Sequence, residues 1–307
     1  MRKKIGILAG CLFTGFLTVA LIMIAGRLLD PLYTSDSMNS IKAFHSMERD
    51  SVDICFYGTS HAWKGADMLV FEEQYGMKAF NYAGNWQAFN TTLLFLKDSF
   101  RTQKPKYVFI DTYVVQSLLH DIDMEGQIYY TKAISDFPGK REFLKDCFGN
   151  DWKRYVTYAF PLVAFHDNWA SIEKENFTGG KSKQEYINYR GYDHSDEVIP
   201  VDLMMCKNGA QKEIPEDSIA IMDEMVDLCK NIGATLVFYT CPYVGEYEYA
   251  EALSKYADSH ECEYINLIDY MDEMNLDGLT DFRDSQHLND SGSRKLSLFL
   301  GKCFLGQ

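Results

Sequence analysis

The first thirty positions form a hydrophobic block with no period. Residues 5–26 are 22 consecutive uncharged positions, preceded by Arg2, Lys3 and Lys4 and followed by Arg27. As a helix this run is roughly 33 Å long, enough to cross a hydrocarbon core of about 30 Å. Three basic residues before it and one after it place the N-terminus in the cytoplasm and the rest of the chain outside, a single-pass cell-membrane anchor. A cleaved signal peptide is the rival reading. Its apolar region is normally shorter, and no clear small-x-small site closes this one. The chain then divides into an anchor over 1–27, a mixed polar stalk with a helical lead-in over 28–50, and a domain over 51–307.

From residue 51 the pattern becomes periodic. Residues 53–57 read as a buried strand, 68–75 as a short helix and 79–82 as a second strand. Over 88–102, Phe89, Leu93, Leu94, Leu96 and Phe100 recur at helical spacing. Lys104-Pro105-Lys106 ends that helix, and 107–110 is a third strand. Residues 114–215 are aromatic and irregular and read as a large insertion, with Gly179-Gly180-Lys181-Ser182-Lys183 as a mobile loop. Alternation then resumes. Glu216-Asp217-Ser218 opens a helix with the apolar stripe Ile219, Met222, Val226 and Cys229, closed at Asn231-Ile232-Gly233. A strand over 234–240, a helix over 247–256, a strand over 264–267 and a helix over 291–304 follow. Strands alternating with helices predict an α/β fold, a five-stranded parallel sheet covered on both faces as a three-layer sandwich. In such sheets reactive groups lie beyond the strand C-terminal ends, where Ser60, Gly84, Asp111 and Tyr243 fall.

Candidate chemistry gathers in two stretches. Gly58-Thr59-Ser60-His61 delivers a serine just past the first strand, and Asp284-Ser285-Gln286-His287 places an acid and a base three residues apart. A serine hydroxyl needs a base to take its proton, and the base needs a partner to fix its tautomer. Ser60 is therefore the expected nucleophile, His287 the base and Asp284 its orienter. The enzyme reading expects His287 within about 5 Å of the Ser60 hydroxyl. The loop 280–290 is polar with few core anchors and suits a site rim. The Ser60 amide, the Gly84 amide and the Asn85 side chain are the candidate oxyanion donors. Asp281, Asp284 and His287 have no second histidine cluster to support a metal reading, and no cofactor is implied.

Charge narrows the partners. The 307 residues carry 30 basic and 44 acidic side chains. Four of the basic residues lie within the first 27 positions, so the remainder carries −18. Such a surface repels phosphate backbones and argues against nucleic acid and against a body that lies flat on anionic lipid. Cys11 lies in the apolar run, leaving seven of eight cysteines, without CxxC spacing; Cys55 and Cys241 read as core residues.

On these residues the chain resembles the SGNH (GDSL-like) hydrolase superfamily over roughly 53–113 and 216–304. Gly58-Thr59-Ser60-His61 stands at that family's nucleophile block, Gly84 at its oxyanion glycine, and Asp284-Ser285-Gln286-His287 at its terminal Asp-x-x-His block. The fold implied is a flavodoxin-like sandwich. One block departs: the family's Gly-x-Asn-Asp reads Ile110-Asp111-Thr112-Tyr113 here, without the oxyanion asparagine. The anchor, the Ser-His block and the missing asparagine are similar to the extracytoplasmic branch serving teichoic acid D-alanylation and polysaccharide O-acetylation. That resemblance implies an esterase or O-acyltransferase acting on a cell-envelope glycan or acylated polysaccharide, with a membrane-bound O-acyltransferase as partner. Aromatic residues of the insertion (Tyr129, Tyr130, Trp152, Tyr155, Trp169, Tyr186 and Tyr189) are candidates for stacking on sugar rings. A non-catalytic binding or assembly protein of an envelope acylation complex is the alternative.

Overall fold

A computed structural model describes residues 2–30, 35–118, 125–172, 177 and 183–306. It is an α/β structure with a five-stranded parallel sheet and an apolar N-terminal helix. Helix α1 (Arg2–Leu29) is one 28-residue element whose apolar side chains face outward, and residues 6–29 are long and apolar enough to cross a membrane. Helix α2 (Asp36–Phe44) follows, capped by the Ser35 hydroxyl on the Met38 N–H. It buries Ile41, Ala43 and Phe44 in the main core, so this part of the expected stalk belongs to the packed body.

The sheet strands are β1 (Ile54–Tyr57), β2 (Ala79–Asn81), β3 (Tyr107–Asp111), β5 (Thr235–Thr240) and β7 (Glu263–Asn266), in the order β2-β1-β3-β5-β7. Between them run α3 (Ser60–Gly65), α4 (Met68–Tyr75) and α5 (Phe89–Ser99). The inner strands read as unbroken apolar runs because both of their faces are covered, as parallel sheets require. Phe56 pairs with Phe109 across β1 and β3, and their rings stack at 4.6 Å. The chain leaves β1 toward β2 on one side and crosses to β3 on the other. The loops after β1 and β3 therefore diverge and leave a crevice at their C-terminal ends.

The expected insertion is a run of short helices: α6 (Glu125–Tyr130), α7 (Pro138–Phe148), α8 (Trp152–Ala159), α9 (Pro161–Phe165) and α10 (Lys183–Asn188). The loop expected over 179–183 lies outside the described residues up to 182, and Lys183 opens α10. Next come β4 (Cys206–Asn208) and α11 (Glu216–Ile232), which is closed by Gly233 at φ +74°. Glu216 and Asp217 in its first turn and Lys230 in its last complement the helix dipole.

The helix expected over 247–256 starts later. Residues Gly245–Tyr247 form β6, which pairs in parallel with β4, and α12 begins at Ala250 (Ala250–Ser259). Tyr247 is drawn into the core, its hydroxyl donating to Thr112. That tertiary bond, with a ladder from a strand forty residues away, outweighs local helical spacing. Helix α13 (Asp290–Phe304) closes the fold, capped by Asn289 on the Gly292 N–H. It packs against α3 and α4, while α5 packs against α11.

Candidate active site

The site is built on a helix too short to satisfy its own carbonyls. Helix α3 begins at Ser60, directly after β1, with Thr59 as N-cap. Its carbonyls are taken up by side chains from elsewhere. Asn81 Nδ2 donates to Ala62 O at 2.8 Å, Ser293 Oγ to Lys64 O at 2.7 Å, and Cys241 Sγ to His61 O at 3.3 Å. Three elements thereby fix the helix that carries Ser60, leaving the Ser60 N–H at its first position without an intrahelical acceptor.

The turn into this helix is tight. Gly58 has φ +130°, and a Cβ there would lie 2.6 Å from Asp111 Cβ. The close approach brings Asp111 onto the turn: its Oδ2 accepts Thr59 Oγ1–H at 2.7 Å and Thr59 N–H at 3.3 Å, and its Oδ1 accepts Tyr113 N–H at 3.2 Å. So the residue standing where the resembled family places its oxyanion block is an acceptor holding the nucleophile turn. Burial pushes the Asp111 carboxyl up to about 6, with the Thr59 bonds pulling the other way.

From the opposite side comes residues 282–288. Phe282 and Leu288 bridge this segment antiparallel, and both are buried. The loop thus has core anchors at each end, contrary to the expected sparsely anchored rim. Arg283 N–H donates to His287 O, Val244 N–H to Ser285 O, and Gln286 Nε2 to Val244 O. Asp281 accepts Lys295 Nζ at 2.6 Å and Ser291 Oγ at 2.7 Å and holds this loop to α13. Among the described residues no group of His, Cys, Asp and Glu has metal-holding geometry.

These two segments bring Ser60, His287 and Asp284 together. Ser60 Oγ lies 2.8 Å from His287 Nε2. His287 Nδ1 lies 2.9 Å from both Asp284 oxygens. The network requires Nδ1 to donate to the carboxylate, which leaves Nε2 to accept the Ser60 proton. Burial lowers the His287 value below 6.5, and the Lys64 ammonium adds to this while Asp284 opposes it. Burial alone pushes the Asp284 carboxyl up, but the His287 bond and the Gln286 N–H outweigh it and hold it below 3.8. The pair is thus a neutral base beside an ionised orienter near neutral pH.

The oxyanion candidates fare differently. Gly84 is buried next to the turn, but its N–H donates to Gly58 O at 3.1 Å. Its surroundings would admit a Cβ, the nearest atom being Gln87 Oε1 at 3.5 Å. The glycine argument for close approach is therefore not carried by the protein around it. Asn85 is exposed at a small recess lined by Ser37, Ile41 and Tyr130. Of the three candidates, the Ser60 amide is the one that heads a helix and has no intrahelical acceptor.

Two residues beside the nucleophile, His61 and Lys64, had no catalytic role in the sequence reading. His61 is buried, with its ring 3.8 Å from Tyr113 and 5.2 Å from His287. Thr59 Oγ1 spends its proton on Asp111 and so accepts from His61 Nδ1 at 3.2 Å. Burial, and the neighbouring His287, lower His61 to about 3, so it stays neutral. Lys64, four positions after the nucleophile, supplies the positive field felt by both His287 and Asp284. Only adjacency to Ser60 pointed to these residues.

One prediction arises at Asp111. A carboxyl with a raised folded value binds its proton more tightly when folded. Its stabilising contribution is complete below 3.8 and is lost as pH rises through about 6, roughly 3 kcal/mol in all. Urea unfolding of the detergent-solubilised chain should show wild type losing stability relative to Asp111→Asn across that window; parallel curves would sink the assignment.

No protein-family model matches the chain, and no curated protein matches it significantly.

Proposed function

We propose that the chain is a membrane-anchored serine esterase or O-acyltransferase, resembling the SGNH hydrolases, that acts outside the membrane on a cell-envelope glycan through an acyl-Ser60 intermediate. The observation that carries this reading is the 2.8 Å contact of Ser60 Oγ with His287 Nε2, backed by Asp284 on Nδ1. Ser60 Oγ attacks an ester carbonyl while His287 Nε2 takes its proton. The Ser60 amide receives the developing oxyanion. His287 returns the proton to the departing alcohol, and the acyl group stays on Ser60. His287 then deprotonates water or a glycan hydroxyl, which attacks the acyl-serine and releases the enzyme.

The flavodoxin-like three-layer sandwich belongs to the same proposal. It is supported by the strand order and by α4 with α13 and α5 with α11 forming two separate helix pairs. Helix α1 supports an anchor, and the excess of basic residues before it supports an extracytoplasmic body. A membrane-bound O-acyltransferase that supplies acyl groups is the partner this reading calls for.

Trapping tests the reading. Full-length protein in detergent, incubated with an activated aryl acetate and quenched in acid, should carry one acetyl group on the peptide containing Ser60. Acetylation confined to lysines, or persisting unchanged in His287→Ala, would refute it. The pH profile gives a second check. A base must be neutral, so kcat/KM should fall as pH drops through the His287 value, with a midpoint below 6.5. A midpoint above that value would contradict the buried, Lys64-facing environment.

One observation favours the alternative of a non-catalytic assembly protein. With Gly84 N–H engaged and Thr112, its hydroxyl on Tyr239 O, in place of an asparagine, the oxyanion site has fewer donors than the resembled family. Absence of acyl-Ser60 in folded protein, together with retained binding of a membrane-bound O-acyltransferase by Ser60→Ala, would select it.

A further inference from the structure

Helix α8 is amphipathic in the wrong sense for a water-exposed helix. Trp152, Tyr155, Val156 and Ala159 share one face by helical spacing, within an arc of about 100°. That face points largely outward: Trp152 is 67% and Val156 36% exposed, while Tyr155, also 36% exposed, sets its ring edge-on to Phe148 at 5.0 Å and donates its hydroxyl to Gly149 O at 3.4 Å. The polar flank points inward instead. Arg154 donates to Cys147 O at 2.7 Å and lies over the Phe148 ring, and the Tyr158 hydroxyl pairs with Thr131 Oγ1 at 2.9 Å. The apolar surface continues beyond the helix through Phe160, Val163 and Trp169, at 57%, 51% and 63% exposure.

This surface begins where α1 ends. Helix α9 packs on α1, with Leu162 N only 3.2 Å from where a Gly26 Cβ would lie. Asn168 Nδ2 donates to Leu29 O at 3.4 Å. The exposed aromatics therefore stand beside the last turn of the apolar helix. Residues 152–172 contain one acidic side chain, Asp167, against Lys153 and Arg154, in a chain that is otherwise strongly acidic. Tryptophan and tyrosine favour the headgroup level of a bilayer. A short helix with an exposed aromatic face lies in that plane, its apolar face sunk about 5–10 Å.

We propose that α8 and the segment through Trp169 dock on the outer headgroup region of the membrane that α1 crosses, seating the body against the bilayer. The proposal rests on the anchor reading of α1. It also divides the aromatics expected to stack on sugars. Tyr129 and Tyr186 are buried, and Tyr189 is stacked on His194 at 3.9 Å. Trp152 and Trp169 face the lipid instead, with Tyr155 at the rim, its ring against Phe148.

The test is tryptophan quenching by brominated phospholipid, with the full chain in vesicles of mixed zwitterionic and anionic lipid. The chain has four tryptophans, none of them in α1: Trp63 is buried, Trp86 is exposed in the loop after β2, and Trp152 and Trp169 are on the patch. Brominated lipid should quench about half of the emission, and the fold-preserving double variant Trp152→Phe/Trp169→Phe should lose that quenching. Equal quenching in wild type and double variant would overturn the proposal. So would a wild-type emission shift produced by a soluble N-acetylglucosamine tetrasaccharide without lipid quenching, which would assign the patch to sugar. Alkaline carbonate extraction separates the two readings. A chain that stays in the vesicles unquenched overturns the docking surface alone; one that is extracted and unquenched overturns the anchor and the docking with it.

Discussion

Ser60→Ala is expected to lower ester turnover by roughly 10⁴-fold or more and to abolish labelling by a fluorophosphonate, with the fold unchanged. A 10⁴-fold loss is about 5.5 kcal/mol of transition-state stabilisation. The size follows from the arrangement. Ser60 Oγ is the group aligned with His287 Nε2 at 2.8 Å, and without it the base has no hydroxyl to activate. Folding should survive because Ser60 is half-buried at the head of α3, and the bonds that fix α3 come from Asn81, Ser293 and Cys241 to other residues. His287→Ala should fall nearly as far, since triad members act as a unit. Turnover within tenfold of wild type in a folded Ser60→Ala protein would remove the serine mechanism altogether. The same assay in Asp284→Asn should show a large loss as well, because His287 would lose the acceptor that fixes its tautomer.

Gly58→Ala should be the most damaging small substitution near the site. The new Cβ would stand 2.6 Å from Asp111 Cβ, on a backbone at φ +130° that L side chains rarely adopt. Backbone strain of about 1–3 kcal/mol adds to an overlap of similar size. The sum is a large share of the stability of an ordinary domain, about 5–15 kcal/mol. Relief requires moving Asp111 away from Thr59, which would loosen the turn delivering Ser60. Gly76→Ala is the internal control. Gly76 also has positive φ, at +65°, but nothing lies within 4 Å of its would-be Cβ. Strain without overlap should lower the unfolding midpoint far less. Equal midpoints for the two variants would show that the contact with Asp111 does not matter.

Where periodicity was local and strong, the chain was legible. The apolar run 5–26, the buried strands 53–57 and 107–110, and the helix from Glu216 to its glycine stop can all be read because each follows from neighbours within one element. The Asp-x-x-His spacing likewise announced the pair of Asp284 and His287, since a three-residue gap in a tight loop lets both side chains meet.

What stayed hidden depends on residues far apart in the chain. Cys206–Asn208 shows no strand pattern and becomes one only against Gly245–Tyr247. Phe282 and Leu288 anchor the histidine loop through a bridge that no local signal announces. Asp111 became the clamp on Thr59 because Gly58 lets β1 and β3 end in contact. Gly84 lost its free amide to Gly58 by the same convergence.

The sequence by itself determined the elements of the main sheet and its helices, the parallel α/β arrangement, the apolar N-terminal helix and the residue types of a serine–histidine–aspartate constellation. Hydrophobic period and short-range spacing carry that information. Only the tertiary structure decided which groups meet: the 2.8 Å seating of Ser60 on His287, the burial that keeps His61 neutral, and the outward aromatic face beside α1. Those outcomes depend on packing between distant segments, where a difference of an ångström decides whether a proton has a partner.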